Sequence, residues 1–173
     1  MITIVCTTNR PVSNTRKVAQ MYYDALQKMG LDAQVLDLKE VDASWMQDSN
    51  YGQNVPEFEA VINRYVRHSE KFVFVTPEYN GSFPGYLKFF IDACDYGDWA
   101  KKKVALMGLA SGRAGNVRGL DHLTGIFHYL GSEVYSKKVY LSQINHSLTD
   151  EGEIRNEVLS REIEQQLKGF LTF

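Results

Sequence analysis

Four short apolar runs constrain this chain most: ITIVC (residues 2–6), AQVLD (33–37), KFVFVT (71–76) and KVALMGLA (103–110). The two longest are apolar at successive positions rather than at every second one. Strands read this way when helices cover both faces of their sheet, the usual condition of buried parallel strands. The segments between them supply such helices. Val18, Met21, Tyr22, Ala25, Leu26 and Met29 recur at helical spacing, with Gly30 as a C-terminal stop. Phe58, Val61, Ile62 and Tyr65 mark a second helix, opened by Pro56. A third begins near Pro84 with Leu87, Phe90, Ile91 and Cys94 on one face, and Leu120, Leu123, Phe127 and Leu130 stripe a fourth. EVYSKKVYLS reads as a fifth strand, and the tail from about Asp150 as a final helix.

Strands and helices therefore alternate, and right-handed crossovers leave few ways to connect them. The pattern predicts an α/β three-layer sandwich around a five-stranded parallel sheet of order 2-1-3-4-5. A length of 173 residues with 44% hydrophobic and 23% charged content suits one domain over residues 1–173. Residues 39–51 are the least regular stretch and read as a surface excursion. The formal net charge of -2 gives no basic field for nucleic acid, so any phosphate binding must come from local groups. Cys6 and Cys94 sit in apolar segments without CxxC spacing and read as buried small hydrophobes. No charged n-region precedes ITIVC, and no apolar run reaches the length of a membrane span, so the expected setting is cytoplasmic and away from membranes.

In sheets of this order, ligands bind beyond the carboxyl ends of the strands, where strand order reverses. Strands 1, 3 and 4 are then neighbours, and the loops leaving them are TTNRPVSNT, PEYNGSFPG and SGRAGN. The first combines the hydroxyls of Thr7, Thr8, Ser13 and Thr15 with the amides of Asn9 and Asn14 and the guanidinium of Arg10, just before a helix. A helix N-terminus carries unpaired N–H groups and partial positive charge, so the cluster suits a phosphate. A helix cap alone needs only one of these residues. The loop has no GxxxxGK[ST] and no GxGxxG, which favours a single phosphomonoester over a triphosphate or dinucleotide pyrophosphate. In the third loop, Gly112 and Gly115 flank Arg113 and Ala114 and allow close backbone approach to a planar ligand. Ser111 is no nucleophile elbow, because Leu109 stands where that motif needs glycine. His122 and His128 are six apart on one helix, a poor metal pair. Asp92, Asp95 and Asp98 read as a solvated helix end.

The three loops together resemble those of the NADPH-dependent FMN reductase family, flavodoxin-like proteins that include quinone, azo and chromate reductases. Pro77-Glu78-Tyr79-Asn80 followed by Pro84-Gly85-Tyr86-Leu87-Lys88 carries the resemblance most specifically. Thr7-Thr8-Asn9-Arg10 with Ser13-Asn14-Thr15, and Ser111-Gly112-Arg113-Ala114-Gly115, add to it, with Thr7 where the family usually has glycine. The resemblance implies that Thr8, Arg10, Ser13, Asn14 and Thr15 hold the phosphate of FMN. Pro77, Glu78, Tyr79, Asn80 and Gly81 would border the flavin ring, Tyr79 as a wall, with Ser111, Gly112 and Arg113 on the other side. It further implies NADPH or NADH as co-substrate, a small-molecule electron acceptor, and a homodimer or homotetramer whose neighbouring subunit helps to wall the site. Flavin chemistry needs no catalytic side chain, and Glu78 is expected to cap the following turn. A non-enzymatic electron carrier and an FMN-binding redox sensor are the alternatives, although carriers tend to be far more acidic than this chain.

Overall fold

The computed structural model describes residues 1–149, 154–155 and 157–173. Strand β1 (Ile2–Cys6) leads through a polar loop into α1 (Asn14–Lys28), and β2 (Ala33–Asp37) returns beside β1. A 3-10 turn (Leu38–Glu40), α2 (Ala43–Asn50) and α3 (Pro56–Ile62), prolonged by a π-turn (Asn63–Arg67), precede β3 (Lys71–Pro77). Then come α4 (Gly85–Ala93), α5 (Tyr96–Trp99), β4 (Lys103–Leu109) and α6 (Val117–Tyr129). Two short strands, β5 (Glu133–Val134) and β6 (Val139–Leu141), lead to α7 (Ile144–Ser147) and the last helix, α8 (Glu157–Thr172). The start expected for that helix, near Asp150, lies outside the described residues.

All strand pairs are parallel, in the order β2-β1-β3-β4-β5, with β6 also on β4. The expected three-layer, flavodoxin-like sandwich is thus present. Register decides where the loops emerge: Cys6 pairs with Val75, and Val75 with Met107. The chain therefore leaves β1, β3 and β4 at one level on one edge. Alternate strand residues serve opposite faces. Ile4, Cys6, Val73, Val75, Ala105 and Met107 meet Val18, Tyr22 and Leu26 of α1 and Ile163, Leu167 and Phe170 of α8. The other face is aromatic: Phe72, Phe74, Phe90, Trp99 and Phe127 cluster there, with the Phe74 and Phe127 ring centres 4.7 Å apart. Full burial of each such side chain contributes about 1.5–3 kcal/mol, so both faces favour this closure.

Three expectations change. The single fifth strand is two pieces, β5 and β6, separated by residues 135–138. A buried side chain from α8 fills the gap: Gln166 Nε2 donates to the Leu106 carbonyl at 2.9 Å and the Lys137 carbonyl at 2.8 Å, and Gln166 Oε1 accepts from the Tyr22 hydroxyl at 2.6 Å. The break lets Tyr135 pass close to α8, where a Cβ at Gly169 would fall 1.9 Å from the Tyr135 hydroxyl oxygen. Residues 39–51 lie mostly at the surface, as expected, but are not irregular, because Ala43–Asn50 form α2. Asp42 caps α2 by accepting the Ser44 N–H at 2.8 Å, and Leu38, Val41 and Met46 are buried in the aromatic-side core. Asp98 is not part of a solvated helix end but is 7% exposed. Its carboxylate accepts the Asp95 N–H at 3.1 Å and Arg67 Nε at 2.7 Å, closing the cap of α5.

Candidate functional site

The loop after β1 begins inside the sheet. Thr7 is fully buried, and both its N–H and its hydroxyl donate to the Val75 carbonyl, at 3.2 and 3.0 Å. The side chain that replaces the usual glycine thus faces β3. Thr8 is also buried; its hydroxyl lies 2.6 Å from the Tyr79 hydroxyl, so it is committed to the neighbouring loop. Ser13 caps α1 by accepting the Thr15 N–H at 3.0 Å. Most helices place acidic residues near this positive end. The first turn of α1 has none and instead contains Arg16 and Lys17. Arg16 pairs with Asp37 at the end of β2 and donates to the Pro11 carbonyl at 3.2 Å, which ties the loop to the sheet edge.

The loop after β3 owes its shape to backbone. Tyr79 and Ser82 exchange two hydrogen bonds, of 2.8 and 3.0 Å, around Asn80 (φ 51°) and Gly81 (φ 77°). Two successive positive φ angles make the two-residue hairpin turn for which Asn-Gly is the favoured sequence. The Glu78 N–H donates to the Leu109 carbonyl at 2.8 Å, anchoring the hairpin to β4. Glu78 does not cap the turn as expected, because backbone bonds already close it. The hairpin is braced by α6, where His122 Nδ1 lies 2.8 Å from Ser82 Oγ.

The loop after β4 lies tightly over the strand that produces it. A Cβ at Gly108 would fall 2.2 Å from the Gly115 carbonyl oxygen, and one at Gly115, where φ is 59°, would fall 2.9 Å from Tyr140 Cβ. Buried Asn116 follows at φ 69°, and its Nδ2 donates to the Thr76 carbonyl at 3.0 Å, binding this loop to β3. Ser111, Gly112, Arg113 and Ala114 form an exposed lip.

These loops bound one groove. Its α1 end, about 270 Å³, is lined by Arg10, Val12, Ser13, Asn14, Thr15, Pro77, Glu78, Tyr79, Leu109, Ala110, Ser111, Ile144 and Asn145. Its hairpin end, about 340 Å³, is lined by Glu78, Asn80, Gly81, Ala110, Ser111, Gly112, Arg113 and Ala114. The shared Glu78, Ala110 and Ser111 join the two. Of the residues expected to hold FMN, all but Thr8 line the groove, whereas Thr7, Asn9 and Gly115 of the same loops do not. Sequence reasoning missed Ile144 and Asn145. The segment after β6 joins through hydrogen bonds from the Gln143 N–H to the Gly112 carbonyl (2.8 Å) and from the Ile144 N–H to the Ala110 carbonyl (3.0 Å). Asn145 Oδ1 accepts from Asn14 Nδ2 at 3.5 Å across the groove. No pattern in INHS announced this.

The thiols offer no nucleophile. Burial, reinforced by the Asp37 carboxylate, pushes the Cys6 thiol up to about 12. Burial and the charges of Asp98 and Asp95 likewise raise that of Cys94, which is half-buried rather than fully buried as expected. Among the described residues no group of three or more His, Cys, Asp or Glu side chains gathers as a metal site, and no helix is long and apolar enough to cross a membrane.

Comparison with known proteins agrees with this geometry. The chain is 29% identical over 98 residues to a 2-hydroxy-1,4-benzoquinone reductase of a Burkholderia species, covering 54% of each protein. It is 31% identical over 126 residues to a quinone reductase of Pseudomonas putida, covering 70% of this chain and 65% of that protein. The matched stretches thus span about half to two thirds of these relatives' lengths. The flavoenzyme NAD(P)H:(acceptor) oxidoreductase FerB of Paracoccus denitrificans has the same fold, with a TM-score of 0.82 at 20% identity over 99% of this chain and 94% of that one. Residues 1–146, which contain all three loops and the start of the segment that closes the groove, match the family described as NADPH-dependent FMN reductase, and to that family the chain belongs.

Proposed function

We propose that this chain is an FMN-dependent NAD(P)H oxidoreductase, a single FMN-binding domain over residues 1–173. It passes hydride from NADPH or NADH through the flavin to a small acceptor: a quinone, an azo or nitro compound, a metal oxyanion or free flavin. One observation carries the reading: Arg10 and the N-terminus of α1, with no acidic residue in its first turn, open into the same groove as the exposed 111–114 lip. That donor set fits a planar ring with one terminal phosphate. Arg10, Ser13, Asn14 and Thr15 hold the phosphate. Pro77, Glu78, Asn80 and Gly81 border one side of the ring, and Ser111, Gly112 and Arg113 the other.

When bound, FMN supplies the hydride chemistry, and the protein supplies position and electrostatics. Arg10 and the helix N-terminus balance phosphate charge and fix one end of the cofactor. The hairpin and the 111–114 lip would border the ring from two sides. No side chain must move a proton, and Glu78, the one carboxylate lining the groove, stands at the junction of its two ends. The named quinone reductases among the relatives make quinones the first acceptors to try. A second copy of the chain covers the open lip in a homodimer or homotetramer, and the free thiols Cys6 and Cys94 suit a cytoplasmic setting.

An anaerobic turnover screen with NADPH and NADH against quinones, azo dyes, nitroaromatics, chromate and free flavin tests this reading. Catalytic turnover with at least one small acceptor is expected. Reduction of the bound flavin only by a protein donor would instead identify an electron carrier. Light scattering in solution reads the oligomeric state.

A further inference from the structure

The side chain of Tyr79 turns away from the end of the groove where its backbone lies. Its N–H and carbonyl are both committed to Ser82 in the hairpin. Its side chain crosses to the loop after β1. There the phenol oxygen lies 2.6 Å from Thr8 Oγ1, and the Arg10 guanidinium stacks on the phenol ring, 4.5 Å from its centre. Thr8 Oγ1 also accepts the Arg10 backbone N–H at 3.4 Å. The three residues thus form a closed set, with the phenol on the Thr8 hydroxyl, the Arg10 backbone on that same hydroxyl and the guanidinium on the phenol ring. The phenol is the more acidic hydroxyl and so the natural donor, leaving Thr8 as acceptor of two bonds.

This set acts on the charge that the phosphate end depends on. A free arginine on an exposed loop samples many rotamers and loses that freedom when it binds. Stacked on a ring that is itself anchored to Thr8, the guanidinium has its flat face occupied and its N–H edges available, and Arg10 lines the α1 end of the groove. We propose that Tyr79 is a positioning residue for the phosphate end. It holds Arg10 and Thr8 in place and thereby sets the preference for the phosphorylated flavin over riboflavin, rather than walling the ring. The inference rests on the flavin reading above and assigns Tyr79 to the opposite end of the cofactor from the one its sequence position suggests.

Equilibrium titration of flavin-free protein with FMN and, separately, riboflavin, read by quenching of flavin fluorescence, tests it without any turnover. Tyr79→Phe keeps the ring and removes the hydroxyl, and is expected to weaken FMN on the order of tenfold, the scale of one lost hydrogen bond. Riboflavin affinity should stay within about twofold, because riboflavin has no phosphate for Arg10 to meet. Tyr79→Leu also removes the stack and should weaken FMN further. Adding Thr8→Val to Tyr79→Phe should cost less than the sum of the two alone, since they share the phenol–hydroxyl bond and only the long Arg10 N–H bond to Thr8 is lost in addition. Equal weakening of FMN and riboflavin in Tyr79→Phe would make Tyr79 a ring wall and overturn the inference, as would unchanged FMN affinity. Should Tyr79→Leu fail to fold, Tyr79→Phe and Thr8→Val still decide. A wild-type protein that binds neither flavin refutes the flavin reading itself. One that binds FMN while Tyr79→Phe keeps the full preference for FMN refutes only the role of Tyr79.

Discussion

At the α1 end of the groove the chemistry resides in side chains, Arg10, Ser13 and Asn14 above all, whereas at the hairpin end it resides in backbone shaped by Asn80, Gly81, Gly108 and Gly115. Under the proposed function the contrast matches what each end would meet. A phosphate is recognised by charge and by donors that reach outward. A flat ring needs a surface that comes close, and side chains would stand in the way. The α1 end should therefore fail when side chains are truncated. The hairpin end should fail only when a Cβ or a φ angle is changed.

Gly108→Ala should have the largest effect. Its Cβ would fall 2.2 Å from the Gly115 carbonyl oxygen, a backbone atom with no rotamer to give way, so the loop after β4 must move. A stability loss of about 3 kcal/mol is expected in urea unfolding, at the upper end for overpacking. FMN and riboflavin should weaken together, since the damage lies at the ring end. A variant as stable as wild type would show that this approach does not shape the lip.

Arg10→Ala should do the reverse, leaving the fold intact and weakening FMN by about 2 kcal/mol through loss of a charged hydrogen bond. The deficit should shrink in high salt, which screens the exposed guanidinium of the wild type. Unchanged FMN affinity would remove Arg10 from the site.

Gly81→Ala sharpens the contrast on a smaller scale. Its Cβ would meet nothing nearer than an Arg118 guanidinium nitrogen at 3.9 Å, so only the positive φ is penalised. About 1 kcal/mol of stability is expected to be lost, the scale of a left-handed residue without glycine. A loss of 3 kcal/mol or more, read by the same urea unfolding, would point to packing instead.

Alkaline pH gives the smallest effect under working conditions and falls on the α1 side. Burial raises the Cys6 thiol to about 12 from an ordinary 9.0, and burial also raises the Tyr22 phenol. The fold thus favours the protonated forms. Stability should be complete below about pH 9 and decline as pH climbs toward the raised Cys6 value. Melting curves of wild type and Cys6→Ala across this range should differ in slope, with the variant flatter. Parallel slopes would show that Cys6 ionisation is not linked to folding.

Much of this was legible in the sequence because the relevant residues announce themselves by type. Successive apolar positions in KFVFVT and KVALMGLA read as buried parallel strands, and the sheet order came from connection rules. The loops after β1, β3 and β4 were recognisable because capping or turning needs fewer polar residues than they contain. The direction of the Tyr79 side chain was not legible, because it depends on a hairpin turn whose twist is a three-dimensional property. The split fifth strand escaped for a similar reason: its gap is bridged by Gln166, far along the chain in α8. Helix α2 was missed because one buried residue, Met46, makes no periodic signal. The wall formed by Ile144 and Asn145 comes from a four-residue helix, too short for periodicity to reveal.

The most direct measurement of the central claim is an anaerobic addition of NADPH, then of a quinone, to protein loaded with FMN, monitored by the visible absorbance of the flavin. Flavin binding in this groove together with oxidoreductase function predicts stoichiometric uptake of FMN, rapid bleaching by NADPH and recovery of colour with the quinone. Protein that takes up no FMN, or whose bound FMN neither NADPH nor NADH bleaches, would contradict it.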